Sequence, residues 1–142
     1  MNPDEVQHLL YEQSGLLGVS GLSGDMRELQ ASEIPVAREA VELFVYRVAR
    51  EAGALATSLA GLDGLVFTAG IGENSPAVRT LICKRLAWLG VELDAEANAA
   101  GAPTISSAAS RVTVRVIPTD EERMIAMHTL EIVRQTGELQ AA

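Results

Sequence analysis

A single cysteine, a single tryptophan, two phenylalanines and two tyrosines are all that 142 residues hold of those types. With Cys83 alone, no disulfide can close within the chain and no cluster of thiolates can bind a metal, so this residue reads as a small buried hydrophobe on a helix. Basic residues are scarce too: 11 Lys and Arg stand against 19 Asp and Glu, a formal charge of −8. Because affinity for nucleic-acid phosphates comes chiefly from Lys and Arg, no nucleic acid is expected as a partner. No apolar run reaches the roughly 18 residues of a membrane span, and none is expected to cross a membrane. The start, Met1-Asn2-Pro3-Asp4-Glu5, is acidic and lacks the basic-then-apolar order of a signal peptide, so the chain reads as cytoplasmic. There is no GxxxxGK[ST], no GxSxG and no His/Cys ligand spacing, and His8 and His128 stand in no motif.

What the chain does have is the stretch Val66-Phe67-Thr68-Ala69-Gly70-Ile71-Gly72-Glu73-Asn74-Ser75. A short β-branched and aromatic run feeds two glycines and then Ser75-Pro76, a helix cap followed by the residue most suited to a first helical position. Gly70 and Gly72 are expected to take positive φ and let backbone N–H groups approach a ligand. An anion or a nucleotide edge suits such a turn, and so does a tight strand-to-helix connection with no ligand.

Around this stretch the pattern predicts an α/β chain. A short helix is expected from Pro3 to Gln13, then loop or extended chain from Gly15 to Gly24. A long helix is expected from about Pro35 to Ala60, with Val41, Phe44, Val45, Val48, Ala52, Leu55 and Leu59 along one face. Gly64 to Thr68 reads as a strand buried on both faces, and Pro76 to Leu89 as a helix with Gly90 just past its end. Val91 to Leu93 reads as a very short strand, with Asp94 capping a brief helix toward Asn98. After a small, polar loop from Gly101 to Ser110, the alternation of Val112, Val114 and Val116 predicts a strand from Arg111 to Ile117. Pro118 ends it, and Thr119 with Glu122 has the spacing of a capping box for a last helix whose tail frays after Thr136.

Four ordered segments resemble the acetate kinase family, the acetate and propionate kinases of the actin-like ATPase superfamily. FTAGIGENS (67–75) is similar to the family's adenosine-binding loop, and SGLLGVSGLSGDMR (14–27) to its SGLLG…SxDxR segment. WLGVELD (88–94) resembles its LGxxLD turn, and VIPTDEE (116–122) its VIPTNEE. The likeness runs from about Glu5 to Val133, while family members are well over twice as long. It implies a single partial domain over residues 1–142, the second half of a ribonuclease-H-like C-terminal kinase domain.

The resemblance further implies that Asp25, Met26 and Arg27 form one side of an adenosine pocket and Gly70, Ile71, Gly72, Glu73 and Asn74 the other. An Arg can stack on a base or hold a phosphate, and Asp25 can accept from ribose hydroxyls or orient Arg27. Glu121 matches a carboxylate on the magnesium side, with Asp120 standing where the family has Asn. The implied cofactors are ATP and Mg²⁺, and the implied reaction is reversible transfer of the γ-phosphoryl of ATP to acetate, giving acetyl phosphate. The family's acyl-side and catalytic residues fall outside this chain, so no catalytic residue is named in it. Acetate or acetyl phosphate is expected only together with the missing N-terminal part, ATP or ADP is the expected small-molecule partner, and a homo-oligomer is expected. Two alternatives stay open: a noncatalytic nucleotide-binding or dimerisation remnant, and a segment of a propionate or butyrate kinase.

Overall fold

The computed structural model describes the backbone of residues 1–140 and the side chains of residues 1–134. Eight α-helices and two strands occur among them: α1 (Pro3–Glu12), α2 (Gly15–Ser20), α3 (Met26–Ala31), α4 (Pro35–Ser58), β1 (Gly64–Phe67), α5 (Ala69–Asn74), α6 (Pro76–Arg85), α7 (Ala95–Ala99), β2 (Thr113–Val116) and α8 (Glu121–Gln140). The strands pair in parallel, Gly64 opposite Thr113 through Phe67 opposite Val116, with α5 to α7 in the crossover. The α/β reading therefore matches the structure.

The core lies where α4, α6 and the sheet converge, around Leu29, Val45, Val78, Ile82, Leu86, Ile105 and Val114. On α4 the buried stripe is built largely of alanine: Ala37, Ala40, Ala49 and Ala56 join Val41 and Val45. Small side chains let α2, α3 and α6 pack closely against that helix. Phe44, Val48 and Ala52 are partly buried at its edge, whereas Leu55 and Leu59, expected on the same face, are 63% and 72% exposed.

Several expectations are corrected. The glycine-rich stretch after Gly15 is not extended, since its first half forms α2, with Leu16 packed on the core and Ser20 buried. Gly18 allows this, because a Cβ there would lie 2.8 Å from the Gln13 carbonyl oxygen. β1 is not buried on both faces: Val66 is 51% exposed, because the sheet has two strands and no layer covers that side. α6 stops at Arg85, a 3-10 turn follows at Ala87–Leu89, and Gly90 turns the chain with φ of 93°. Val91 to Leu93 contributes one isolated antiparallel bridge, Leu93 to Ser106, rather than a strand. Asp94 caps α7 as expected, accepting from the Glu96 and Ala97 N–H groups at 2.9 Å.

The capping box of α8 does not form. Asp120 Oδ1 accepts the Arg123 N–H at 3.0 Å, while the Thr119 side chain is bonded elsewhere. The helix continues past Thr136 to Gln140, and residues 141–142 lie outside those described. Neither α1 nor the described side chains of α8 are buried, and Met124, Ile125, Leu130 and Ile132 are about half exposed or more. No helix among the described residues is long and apolar enough to cross a membrane.

Candidate functional site

Two segments far apart in sequence face each other across a cleft of about 530 Å³. One wall is the start of α3, with Gly24, Asp25, Met26, Arg27 and Gln30; the other is α5, with Gly70, Ile71 and Asn74, followed by Ser75. Asp25 is the N-cap of α3, its Oδ1 accepting the Arg27 N–H at 2.8 Å. The Arg27 guanidinium folds back onto the same carboxylate, Nε lying 3.1 and 3.2 Å from its two oxygens. That guanidinium holds the Asp25 carboxyl down to about 2, so Asp25 is an anion throughout the neutral range. Arg27 is 86% exposed and the ion pair sits at the mouth of the cleft, while Met26, 4% exposed, belongs to the core beneath it.

The GIGEN stretch is not a glycine turn. It forms α5, and the left-handed residue is Ala69, with φ of 57°, rather than Gly70 or Gly72. An L-residue is disfavoured there by roughly 1–2 kcal/mol, so the entry to the helix is strained. Gly72 serves close approach instead. A Cβ on Gly72 would lie 3.3 Å from the Phe67 carbonyl carbon, which keeps α5 folded against the end of β1. At Gly70 a Cβ would meet nothing within 4 Å, because that position opens into the cleft.

Asn74 donates Nδ2–H to the Gly70 carbonyl at 2.9 Å and does not cap α6. That role falls to Ser75, whose Oγ accepts the Val78 N–H at 3.3 Å and donates to Gln30 Oε1 at 2.9 Å, joining the two walls. Glu73 does not line the cleft. Its Oε1 accepts both the N–H (2.9 Å) and the hydroxyl (3.0 Å) of Thr119, and the backbone N–H bond is the main cause of its lowered pKa.

Behind α5 lies Arg79, 1% exposed and without a carboxylate partner among the described residues. Nη1 donates to the Gly72 and Glu73 carbonyls at 2.9 and 2.8 Å, Nε to Asn98 Oδ1 at 2.7 Å and Nη2 to the Asn98 carbonyl at 2.7 Å. Burial pulls its pKa below the usual arginine value, but four oxygens receive its charge-assisted bonds, two at the C-terminal end of α5 and two on Asn98 of α7. Cys83, one turn on, is buried with its thiol pushed up to about 12, consistent with an unreactive packing role.

A second recess, of about 450 Å³, shares Gly70 with the first and is lined by Ala69, Thr119, Asp120, Glu121 and Glu122. Glu121 thus stands near the cleft but not in it. Among the described residues no group of three or more His, Cys, Asp or Glu is placed to hold a metal. A site of this kind suits Mg²⁺ only as an ion carried largely by phosphates and water, with one or two protein carboxylates completing its shell. Asp120, by accepting the Arg123 N–H on Oδ1, performs the capping that Asn would perform equally well.

A model of the acetokinase family matches residues 1–127. The chain belongs to that family. The acetate kinase of Rhodopseudomonas palustris (strain TIE-1) is 58% identical over 130 residues, which cover 90% of this chain and 33% of that protein. Among solved structures, Porphyromonas gingivalis acetate kinase superposes with a TM-score of 0.82 at 37% identity, covering 94% of this chain and 35% of that one. A propionate kinase from Francisella tularensis subsp. tularensis SCHU S4 gives 0.80 at 40% identity, covering 89% and 33%. The chain spans about a third of the length of these relatives, and its fold is part of an actin-like ATPase domain.

In this acetokinase-family chain, six of the eight residues expected at the adenosine pocket meet at one cleft: Asp25, Met26, Arg27, Gly70, Ile71 and Asn74. Gly72 and Glu73 stand behind and beside it. The sequence reading missed Gly24, Gln30 and Ser75 as lining residues and Arg79 as the brace of α5. A signal for Arg79 was present: it lies on the same helical face as Ile82 and Cys83, three and four residues on, where a charge has to be buried. His8 and His128 lie in neither recess, and His8 Nδ1 is 3.1 Å from Glu12 on exposed α1.

Proposed function

We propose that residues 1–142 form a single partial domain, the C-terminal nucleotide-binding part of an acetate kinase. The observation that carries this reading is the cleft that sets Asp25–Arg27 opposite Gly70–Asn74 in a chain of the acetokinase family. A volume of about 530 Å³ suits a nucleoside, and the walls combine apolar surface from Met26 and Ile71 with a few polar groups that fix orientation. The base packs on Ile71 and Met26, Arg27 stacks on it or reaches a phosphate, and Asp25 orients Arg27. Phosphates extend past Gly70 toward the second recess, where Glu121 supplies one oxygen to the Mg²⁺ that accompanies ATP.

The whole enzyme would move the γ-phosphoryl of ATP reversibly to acetate, a transfer governed by positioning and charge neutralisation. The acyl-side groups lie in the part of the family that this chain does not span, so the chain alone binds nucleotide without turning over. The likeness to a propionate kinase supports a second reading in which the acyl acceptor is propionate. In the cell we place the protein in the cytoplasm as a homo-oligomer.

Gly70 provides the test, since it lines the cleft and a Cβ there would meet nothing within 4 Å. Calorimetry should show ADP binding to the chain, lost in Gly70→Leu with an unfolding midpoint no lower than the parent's. No binding by the parent chain, or equal binding by the variant, would overturn the reading. Hydroxylamine trapping with Mg·ATP and acetate should give no hydroxamate above a heat-killed control.

A further inference from the structure

Glu73 is the only charged residue of α5, and its carboxylate leaves the cleft to reach Thr119, 46 positions away in sequence. One oxygen, Oε1, receives both the N–H and the hydroxyl of Thr119 at 2.9 and 3.0 Å. Thr119 is the last residue before the acidic turn Asp120–Glu122, and no other hydrogen bond or ion pair among the described residues ties the side chains of that turn to α5. The same short helix therefore forms a wall of both recesses: Gly70, Ile71 and Asn74 face one, while Ala69 and Gly70 face the other. At its far end α5 is itself fixed, because Arg79 holds the Gly72 and Glu73 carbonyls and is anchored in turn on Asn98. An unbroken line of hydrogen bonds thus runs from α7 through Arg79 and α5 to the turn that carries Glu121.

We propose that Glu73 is a positioning residue rather than a nucleotide ligand: it pins the acidic turn to α5 and so sets where a divalent cation stands relative to a bound nucleoside. The proposal rests on the nucleotide reading above and deepens it. A rigid α5 with a loose acidic turn would still accept the base and sugar, but the carboxylate of Glu121 would not be held near the phosphates. Binding of the nucleoside part and the contribution of the cation are then separable, and Glu73 governs only the second. Two donors on one acceptor oxygen also predict which substitution is tolerated. Gln keeps that oxygen and both bonds, whereas Ala removes them.

The test uses the full chain and its Glu73→Ala and Glu73→Gln variants, with calorimetry of ADP alone and of Mg·ADP, and amide exchange at Thr119. For the parent, Mg·ADP should bind several-fold more tightly than ADP. Glu73→Ala should keep its affinity for ADP within about twofold, lose the magnesium advantage and exchange the Thr119 amide at least about tenfold faster, because that N–H no longer has its acceptor. Glu73→Gln should restore both properties. Should Glu73→Ala fold poorly, Thr119→Val removes the hydroxyl bond from the other side and should show a partial loss of the magnesium advantage. A Glu73→Ala variant that loses affinity for ADP itself, retains the magnesium advantage, or leaves Thr119 exchange unchanged overturns the proposal. If the parent binds no ADP, the nucleotide reading fails with it, while the exchange measurement still decides whether Glu73 pins the turn.

Discussion

Arg79 and Asn98 hold each other inside the core through two bonds of 2.7 Å, one to the Asn98 side chain and one to its backbone carbonyl. Asn98, 3% exposed, completes the arrangement by donating Nδ2–H to the Pro76 carbonyl and the Thr80 hydroxyl at 3.0 and 2.9 Å. A guanidinium with no counter-ion among the described residues is thus tolerated because its donors meet oxygens and the oxygens meet donors. Replacing Arg79 by Leu would take the guanidinium from Asn98 Oδ1 and from the part-buried Gly72 and Glu73 carbonyls, while the Asn98 carbonyl keeps the Gly101 N–H at 3.2 Å. Each group left unpaired where water cannot reach costs about 1–3 kcal/mol. Chemical denaturation should show Arg79→Leu less stable by about 3 kcal/mol or more, with Arg79→Lys intermediate because an ammonium cannot reproduce the planar fork.

The Asp25–Arg27 pair sets an acid limit on the mouth of the cleft. The folded carboxyl titrates at about 2 against an ordinary value of 3.8. Its contribution to stability is therefore complete above about pH 4 and is lost as the pH falls toward 2. A carboxyl-detected NMR titration should find the Asp25 midpoint near 2, and Arg27→Met should move it only part of the way back to the ordinary range, because the backbone N–H of residue 27 still bonds the carboxylate.

Asp120 and Thr119 are neighbours with different duties. Asp120→Ala removes the cap of α8 and should cost about 0.5–2 kcal/mol in thermal or chemical unfolding. Thr119→Ala removes no cap, so the helical content of α8 by circular dichroism should stay unchanged while the hydroxyl bond to Glu73 is lost and the backbone N–H bond is kept.

Glu121 stands in the first turn of α8, where a carboxylate gains from the helix dipole whatever its function. Glu121→Ala should lower stability by only about 0.3–1 kcal/mol. If Glu121 also serves the cation, the same variant should need several-fold more Mg²⁺ to reach half-maximal Mg·ADP binding. An unchanged magnesium titration would reduce it to a structural residue.

Association should be visible in solution. The apolar face of α4, a natural candidate in the sequence, is largely consumed by the core, since Val41, Val45, Ala49 and Ala56 are buried. Apolar surface is left on α1, on α8, at Val66 of the two-stranded sheet, at Trp88, and on α4 itself at Leu43, Tyr46 and Leu55 and just past its end at Leu59. Exposed strand edges and apolar helix faces favour association with another chain. Size exclusion with light scattering should give a dimer or larger assembly, and a well-folded monomer at micromolar concentration would count against it.

Local chemistry is what the sequence by itself determined. Pro76 after Ser75, Asp94 before α7, the alternating valines of β2 and the long helix α4 each rest on chemistry within a few residues, and each stands in the structure, although the apolar repeat of α4 leaves Leu55 and Leu59 exposed. The four ordered motifs likewise named the family and six residues of one cleft. What depends on neighbours distant in sequence was decided by tertiary packing. Gly70 and Gly72 looked like turn residues, yet the left-handed position fell to Ala69, and Gly72 instead packs closely on Phe67, where a Cβ would lie 3.3 Å from the carbonyl carbon. Glu73 looked like a ligand, but Thr119 lies within its reach once the end of β2 is brought beside β1. Thr119, so engaged, left the capping to Asp120. Arg79 acquired its role only when α7 presented Asn98 to it, because a buried charge is stable only where the fold supplies acceptors, and no local rule places them.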